Sequence, residues 1–223
     1  MFGYKYTLVN PHQVPEEQIP LMNKVYDLWE SCFRPLAEGA GEKFDPDDFF
    51  RVDCMGVLMH GENIVGSHFY ALFDLRLKAT LNHHFFQYLD NSTIDGLIKR
   101  DHSRVITLEY TLINKEYRKS QQNIVWAEVL TGLGLKYLDS SIGSGILGTP
   151  RIDAKVDKMT YRLNAEVLQE PVRKMNCPCA VVYFPKQQNR SLSNPEVQAL
   201  VNNLWKSHLN ISANTHFNMP KAA

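Results

Sequence analysis

Glu109 is a lone carboxylate inside Val105-Ile106-Thr107-Leu108-Glu109-Tyr110-Thr111-Leu112-Ile113, a β-branched and aliphatic run bounded by charged residues. Such a run suits a mostly buried strand. Burial disfavours an ionised carboxyl group and raises its pKa towards the range of a useful general base. Two plainer readings stay open for the same residue: a glutamate on the outward face of a half-exposed strand, or one paired with a lysine. Just downstream, Asn114-Lys115-Glu116-Tyr117-Arg118-Lys119-Ser120-Gln121-Gln122-Asn123 is polar and partly basic. Val125, Trp126, Val129, Leu130, Leu133, Tyr137 and Leu138 then follow at helical spacing. A strand that enters a helix through a basic loop presents unpaired N–H groups and the positive end of the helix dipole. That is a place for an anion, usually a phosphate. Arg118, Lys119 and Ser120 are the candidates for that contact. A basic loop residue is more often simply solvated, but the strand before it and the helix after it give it meaning here.

Other reactive side chains offer less. The cysteines stand at 32, 54, 177 and 179. Cys177-Pro178-Cys179 has one intervening residue rather than the two of a zinc knuckle or redox pair. No histidine stands in sequence beside Cys54 or the Cys177/Cys179 pair to activate a thiol. His83 and His84 are adjacent, so they fall on different faces of a helix or strand, which argues against their sharing a metal. The acidic stretch around Asp45-Pro46-Asp47-Asp48 could meet a cationic substrate, but a solvated loop accounts for it.

Composition sets the outer bounds. Lys plus Arg and Asp plus Glu are both 24, so nothing electrostatic argues for nucleic acid or an anionic membrane surface. No apolar run approaches the roughly 20 residues that a membrane helix needs. Met1-Phe2-Gly3-Tyr4-Lys5-Tyr6 lacks the basic and apolar regions of a signal peptide. These features lead us to expect a reduced, cytoplasmic protein with no membrane span.

The elements that must position Glu109 and the basic loop can be read in order. Residues 4 to 9 alternate as a first strand. Leu21, Met22, Val25, Leu28, Trp29, Cys32 and Phe33 give a helix from Gln18 to Arg34, which Pro35 is expected to stop. Cys54 to Met59 and Ile64 to Phe73 predict two strands of a hairpin turning at His60-Gly61-Glu62-Asn63. Residues 76 to 103 form an insertion with an aromatic cluster (Leu81, Phe85, Phe86, Tyr88, Leu89) and a short amphipathic segment (Ile94, Leu97, Ile98). It reads as an extra helix packed on the sheet, or as a lid or wall for an apolar substrate. A glycine-rich strand is expected near 141 to 148, a helix from Asp153 to Gln169 ending at Pro171, and a strand over Ala180 to Phe184. Ser193 is expected to cap a last helix that carries Val197, Leu200, Val201 and Leu204. No internal repeat or linker divides the chain. We expect one domain over residues 1 to 209 and a frayed tail over 210 to 223.

Taken in order over roughly residues 8 to 185, these elements resemble the GNAT N-acyltransferases. In that family the central strand ends in a loop of the pattern Gln/Arg-x-x-Gly-x-Gly/Ala, whose amides hold the pyrophosphate of coenzyme A. The matching positions are Arg118, Gln121 and Asn123, so the first fits and the two small residues are replaced. Glycine lets a backbone approach an anion and reach positive φ freely, whereas asparagine does so moderately and glutamine poorly. Three consequences are open: weaker binding of coenzyme A, an acyl carrier protein as donor, or a site without activity.

The resemblance implies an α/β (α+β) fold with a mixed, mostly antiparallel central sheet flanked by helices, and a helical insertion between strands 3 and 4. It implies an N-acyltransferase that moves an acyl group from a pantetheine thioester, acyl-CoA or acyl carrier protein, to a primary amine by direct attack. Glu109 would serve as base, and Tyr161, after Gly148, would protonate the leaving thiolate, although the usual Tyr-x-x-x-Gly-Phe is absent. Leu112, Ile113, Arg118, Lys119, Ser120, Gln121, Gln122 and Asn123 would bind the donor. No tightly bound cofactor is implied, only acyl-CoA or acyl-phosphopantetheine as co-substrate. The partners implied are a small amine acceptor and, for one donor, an acyl carrier protein; a homodimer is left open. The aromatic insertion makes the plan similar to the N-acyl amino acid synthases and acyl-homoserine-lactone synthases. The alternative is a non-catalytic protein of the same fold that binds or senses an acylated ligand.

Overall fold

A computed structural model describes residues 3–118, 124–187 and 190–211. The alternating run near the N-terminus is β1 (Tyr4–Val9), and it lies beside the hairpin of β2 (Cys54–His60) and β3 (Asn63–Asp74). Gly61 sits at φ 59 in the turn, a conformation that favours glycine. Between β1 and the hairpin, α1 runs over Ile19–Gly39 and continues through Pro35 instead of stopping there. Proline removes one intrahelical donor. Two features hold the extra turn: Ala37 is buried in the cluster under the helix, and Arg34 pairs with both Glu30 (2.6 Å) and Glu38 (3.7 Å) across the proline.

The insertion folds as α2 (Lys78–Leu81), a 3-10 turn at Phe86–Tyr88 and α3 (Asn91–Lys99). Leu75, Phe85, Phe86, Leu89, Ile94 and Leu97 pack it against Val105, Leu147, Val181 and Tyr183 of the sheet. Its aromatic cluster is thus mostly core. The long apolar run is β4 (Arg104–Ile113), followed by α4 (Trp126–Ser140) and the short β5 (Gly145–Gly148), which pairs parallel to β4.

The region after β5 differs from the sequence expectation. Instead of one helix to Gln169, α5 covers only Val156–Arg162, and Asn164 at φ 63 turns the chain. An edge strand follows, β6 (Glu166–Lys174), antiparallel to β7 (Cys177–Pro185). As an edge strand β6 stays largely accessible, so its side chains carry little apolar alternation. Pro171 falls at a register shift between Gln169 and Val172, where an edge strand tolerates a missing donor. The last helix is α6 (Pro195–Lys206); its cap is Asn194 rather than Ser193, with the Asn194 side chain accepting from the Glu196 (2.9 Å) and Val197 (3.4 Å) amides. Leu209–Asn210, of which Asn210 was expected to fray, forms β8 parallel to β1. A two-residue strand held by a partner two hundred residues away leaves no local pattern.

Among the described residues these strands make one sheet in the order β6-β7-β5-β4-β3-β2-β1-β8. One face carries α4 and α6, with Leu130, Leu133, Val197, Leu200 and Val201 over Tyr6, Val65, Tyr70, Ile106 and Ile146. The other carries α1, with Val25 and Trp29 over Val9, Met55, Val57 and Phe69, and beside it the insertion.

Candidate active site

The site begins where β4 and β5 part. They pair only from Val105–Gly145 to Leu108–Gly148. Beyond that point the chain after β5 stays with β7: the Ala180 amide donates to the Pro150 carbonyl (3.0 Å) and the Ile152 amide to the Pro178 carbonyl (2.9 Å). β4 instead stays with β3, from Phe69 opposite Glu109 to Gly66 opposite Ile113, and the Asn114 amide donates to Val65 (2.9 Å). Among the described residues no strand pairs with β4 on the β5 side past Leu108. Glu109 is the first residue beyond the fork.

A bulge sharpens this. Two steps on β3, Ser67 to Phe69, face three on β4, Leu112 to Glu109, and Tyr110 takes φ 48. Such a bulge bends the strand and re-aims side chains. Tyr110 turns onto the α1 face, against Trp29, Phe33 and Phe69. Its hydroxyl donates to Asp48 (2.9 Å), which also accepts from Arg51 (2.6 Å). Burial first, and then the nearby Glu109 and Asp48 charges, push the Tyr110 pKa far up, so it stays a donor.

Glu109 is only 5 % exposed. Its Oε1 accepts from the Thr107 hydroxyl (3.0 Å). Oε2 lies 3.6 Å from His84 Nε2 and 3.9 Å from Lys174 Nζ, contacts longer than a hydrogen bond and chiefly electrostatic. Oε2 and His84 Nε2 are both buried without a hydrogen-bond partner. Burial pushes the Glu109 pKa up, as the sequence led us to expect. His84, Lys174 and Thr107 together outweigh it and leave the pKa below the ordinary carboxylate value. The lysine-paired reading of Glu109 is therefore present in the structure, with a histidine added.

Three segments meet at this carboxylate. β4 supplies Glu109 and Thr107. The insertion supplies His84, whose ring lies 4.2 Å from that of His83, while His83 in turn packs on Phe73 (4.8 Å). Burial and the adjacent His84 lower the His83 pKa. β6 ends at Lys174, just before a tight turn in which Met175 (φ 47) and Asn176 (φ 55) reverse the chain. The Lys174 ammonium lies over the rings of Phe85 (5.0 Å) and Tyr88 (5.9 Å).

The remaining sequence candidates lie elsewhere along the same elements. Leu112 is buried in the α1 cluster and Ile113 is half-buried at the end of β4. Arg118 donates through Nε to the Ile113 carbonyl (2.9 Å) and its Nη2 lies 3.8 Å from Cys32 Sγ. Lys119, Ser120, Gln121, Gln122 and Asn123 lie outside the described residues. Tyr161 stands on α5, 38 % exposed, and is not one of the residues that pair with Glu109; burial and Asp157 raise its pKa. Sequence reasoning missed Thr107 and Lys174, set His84 aside as a metal ligand, and took Asp48 for a solvated loop residue. Thr107 could have been found, since a residue two away on a strand shares its face. Among the described residues, no cluster of three or more histidine, cysteine or acidic side chains could hold a metal, and no helix is long and apolar enough to cross a membrane.

The forked sheet, the order of its strands and the flanking helices define the GNAT-type acyltransferase fold. No protein-family model matches the sequence, and no curated protein matches it. Solved structures do match the fold. FeeM, an N-acyl amino acid synthase from uncultured soil microbes, superposes with a TM-score of 0.54 at 9% identity over 83% of this chain and 93% of its own. The AHL synthase LasI gives 0.55 at 10% identity over 92% and 96%. BjaI, a CoA-dependent acyl-homoserine lactone synthase solved with SAM and isopentyl-CoA, gives 0.56 at 9% identity over 93% of each chain.

Proposed function

We propose that the chain is an N-acyltransferase that moves an acyl group from a pantetheine thioester to a primary amine by direct attack. The observation that carries this reading is the fork of β4 and β5 with a buried carboxylate at its first unpaired residue. In it the thioester lies along the open edge of β4, where the backbone of Leu112 and Ile113 holds the pantetheine. Arg118 and the following residues to Asn123 meet the donor phosphate. Glu109 supplies the negative charge that deprotonation of an ammonium needs, and Tyr161 protonates the departing thiolate. Either acyl-CoA or acyl carrier protein serves as donor; BjaI is described as CoA-dependent. The reading includes a cytoplasmic setting, which suits the free thiols of Cys32, Cys54, Cys177 and Cys179.

One observation favours a second reading, a protein of this fold that only holds an acylated ligand. An ionised glutamate flanked by a histidine and a lysine is also what a structural ion cluster looks like. Thiol release from acyl-CoA and from acyl carrier protein, measured across a panel of primary amines, decides between them. Transfer requires turnover in the wild type and its loss by about 10²-fold or more in Glu109→Gln, with the donor-induced thermal shift retained. A thermal shift without turnover would establish the binder.

A further inference from the structure

We propose that His84, carried by the insertion between β3 and β4, takes the proton from the acceptor ammonium, and that Glu109 acts through it as a positioning residue. This rests on the acyl-transfer reading and assigns the proton within it.

Glu109 is badly placed to meet an acceptor itself. Its Oε1 is bound to Thr107, and its Oε2 is shut off from solvent behind His84 and Lys174. An ammonium could reach Oε2 only by displacing one of them. His84 has the opposite disposition. Its side chain is 32% exposed, yet Nε2 is buried and faces Oε2 at 3.6 Å. Nδ1, on the other edge of the ring, has no hydrogen-bond partner among the described residues. An ionised carboxylate facing Nε2 favours the tautomer with the proton on Nε2, which leaves the Nδ1 lone pair free to accept. A base oriented by a buried carboxylate behind it is a recurrent arrangement for proton transfer.

The charged surroundings are His83 beside it on the insertion, Glu109 on β4 and Lys174 on β6, with Asp48 and Arg51 of the loop after α1 acting on His83. The ammonium gives one proton to Nδ1, and the amine nitrogen uses the freed pair to form a C–N bond at the thioester carbonyl carbon. The C–S bond breaks as the carbonyl re-forms, sulfur leaves with its electron pair and takes a proton from the Tyr161 hydroxyl, and Tyr161 recovers the second proton from the amine nitrogen. The imidazolium returns the first proton to water. Ammonium and thioester give amide, thiol and one proton.

The test uses the full chain with the donor and amine that give turnover. His84→Ala is expected to lower kcat by about 10²-fold, to leave the donor-induced thermal shift unchanged, and to regain activity when imidazole is added to the medium; His84→Gln is expected to lose the same activity and to gain nothing from imidazole. Side-chain ¹⁵N NMR at neutral pH is expected to find His84 with its proton on Nε2, and to find that preference lost in Glu109→Leu. Turnover in His84→Ala within threefold of wild type, or no imidazole rescue, sinks this assignment and leaves acyl transfer standing. A proton on Nδ1 in the wild type, or a tautomer indifferent to Glu109, does the same without any assay of turnover. No turnover in the wild type with any donor sinks acyl transfer and the assignment together.

Discussion

His68 on β3 is fully buried, with Nε2 2.7 Å from the hydroxyls of both Tyr6 and Tyr70. Burial drives its pKa down from 6.5 to about 3. The folded protein therefore keeps a neutral ring at pH values where the unfolded chain already carries a charged one. Below the unfolded value the unfolded state binds a proton that the folded state refuses, so this contribution is intact above pH 6.5 and drains away as the pH falls towards 3. At 1.36 kcal/mol per pKa unit, the loss is about 3 kcal/mol between pH 7 and pH 4 and about 4 kcal/mol by pH 3. For a domain whose stability is of the order of 5–15 kcal/mol, that is a large fraction. Urea unfolding of the wild type and of His68→Gln at pH 7, 5.5 and 4 measures it. Carboxylates held at low pKa, such as Glu109 and Asp74, also weaken the fold in acid, but both proteins share them. The wild type is thus expected to lose about 3 kcal/mol more than His68→Gln between pH 7 and pH 4. Equal losses would refute the reasoning and place a proton, or water, on the buried ring.

The same cluster sets a packing prediction. A Cβ at Gly56 would lie 2.1 Å from the Tyr6 hydroxyl and 2.4 Å from His68 Nε2. Gly56→Ala is accordingly expected to destabilise by about 1–3 kcal/mol or more, seen as a lower urea midpoint with an unchanged slope; a neutral result would mean that the tyrosine–histidine group yields easily. At the site, Lys174→Met removes a cation that holds the Glu109 pKa down. The Glu109 carboxyl is expected to titrate at higher pH in that variant, followed by side-chain ¹³C NMR, and stability at neutral pH to fall by roughly 1–3 kcal/mol. An unmoved titration would show that His84 and Thr107 suffice.

What the sequence made legible was local. β4, α4 and the β2–β3 hairpin announce themselves through runs whose period matches their structure, and Glu109 is visible because it interrupts one of them. The site's other charges come from segments without such a signal. Lys174 was hidden because β6 is an exposed edge strand containing Pro171, and the same stretch can be read at helical spacing. His84 was set aside because two adjacent histidines do not share a face of a regular element. They lie instead in an irregular turn between α2 and the 3-10 turn, where that rule does not hold. Reading Glu109 alone, burial dominates and its pKa rises. Only the two long-range neighbours reverse the sign.

That reversal explains why the insertion and the β6–β7 turn belong to the site rather than merely cover it. Burying an ionised carboxylate is costly unless charge and hydrogen bonds answer it. Thr107, the partner within β4, offers one neutral hydrogen bond to Oε1 and nothing to Oε2. Among the described residues the answer for Oε2 comes from His84 and Lys174, which stand on opposite sides of β4 in sequence. Phe85 and Tyr88 bind the two segments to each other by receiving the Lys174 ammonium on their rings. Losing either contact is therefore expected to raise the Glu109 pKa. The charge state of Glu109 is consequently set by residues from three separate segments that the sheet's fork brings together.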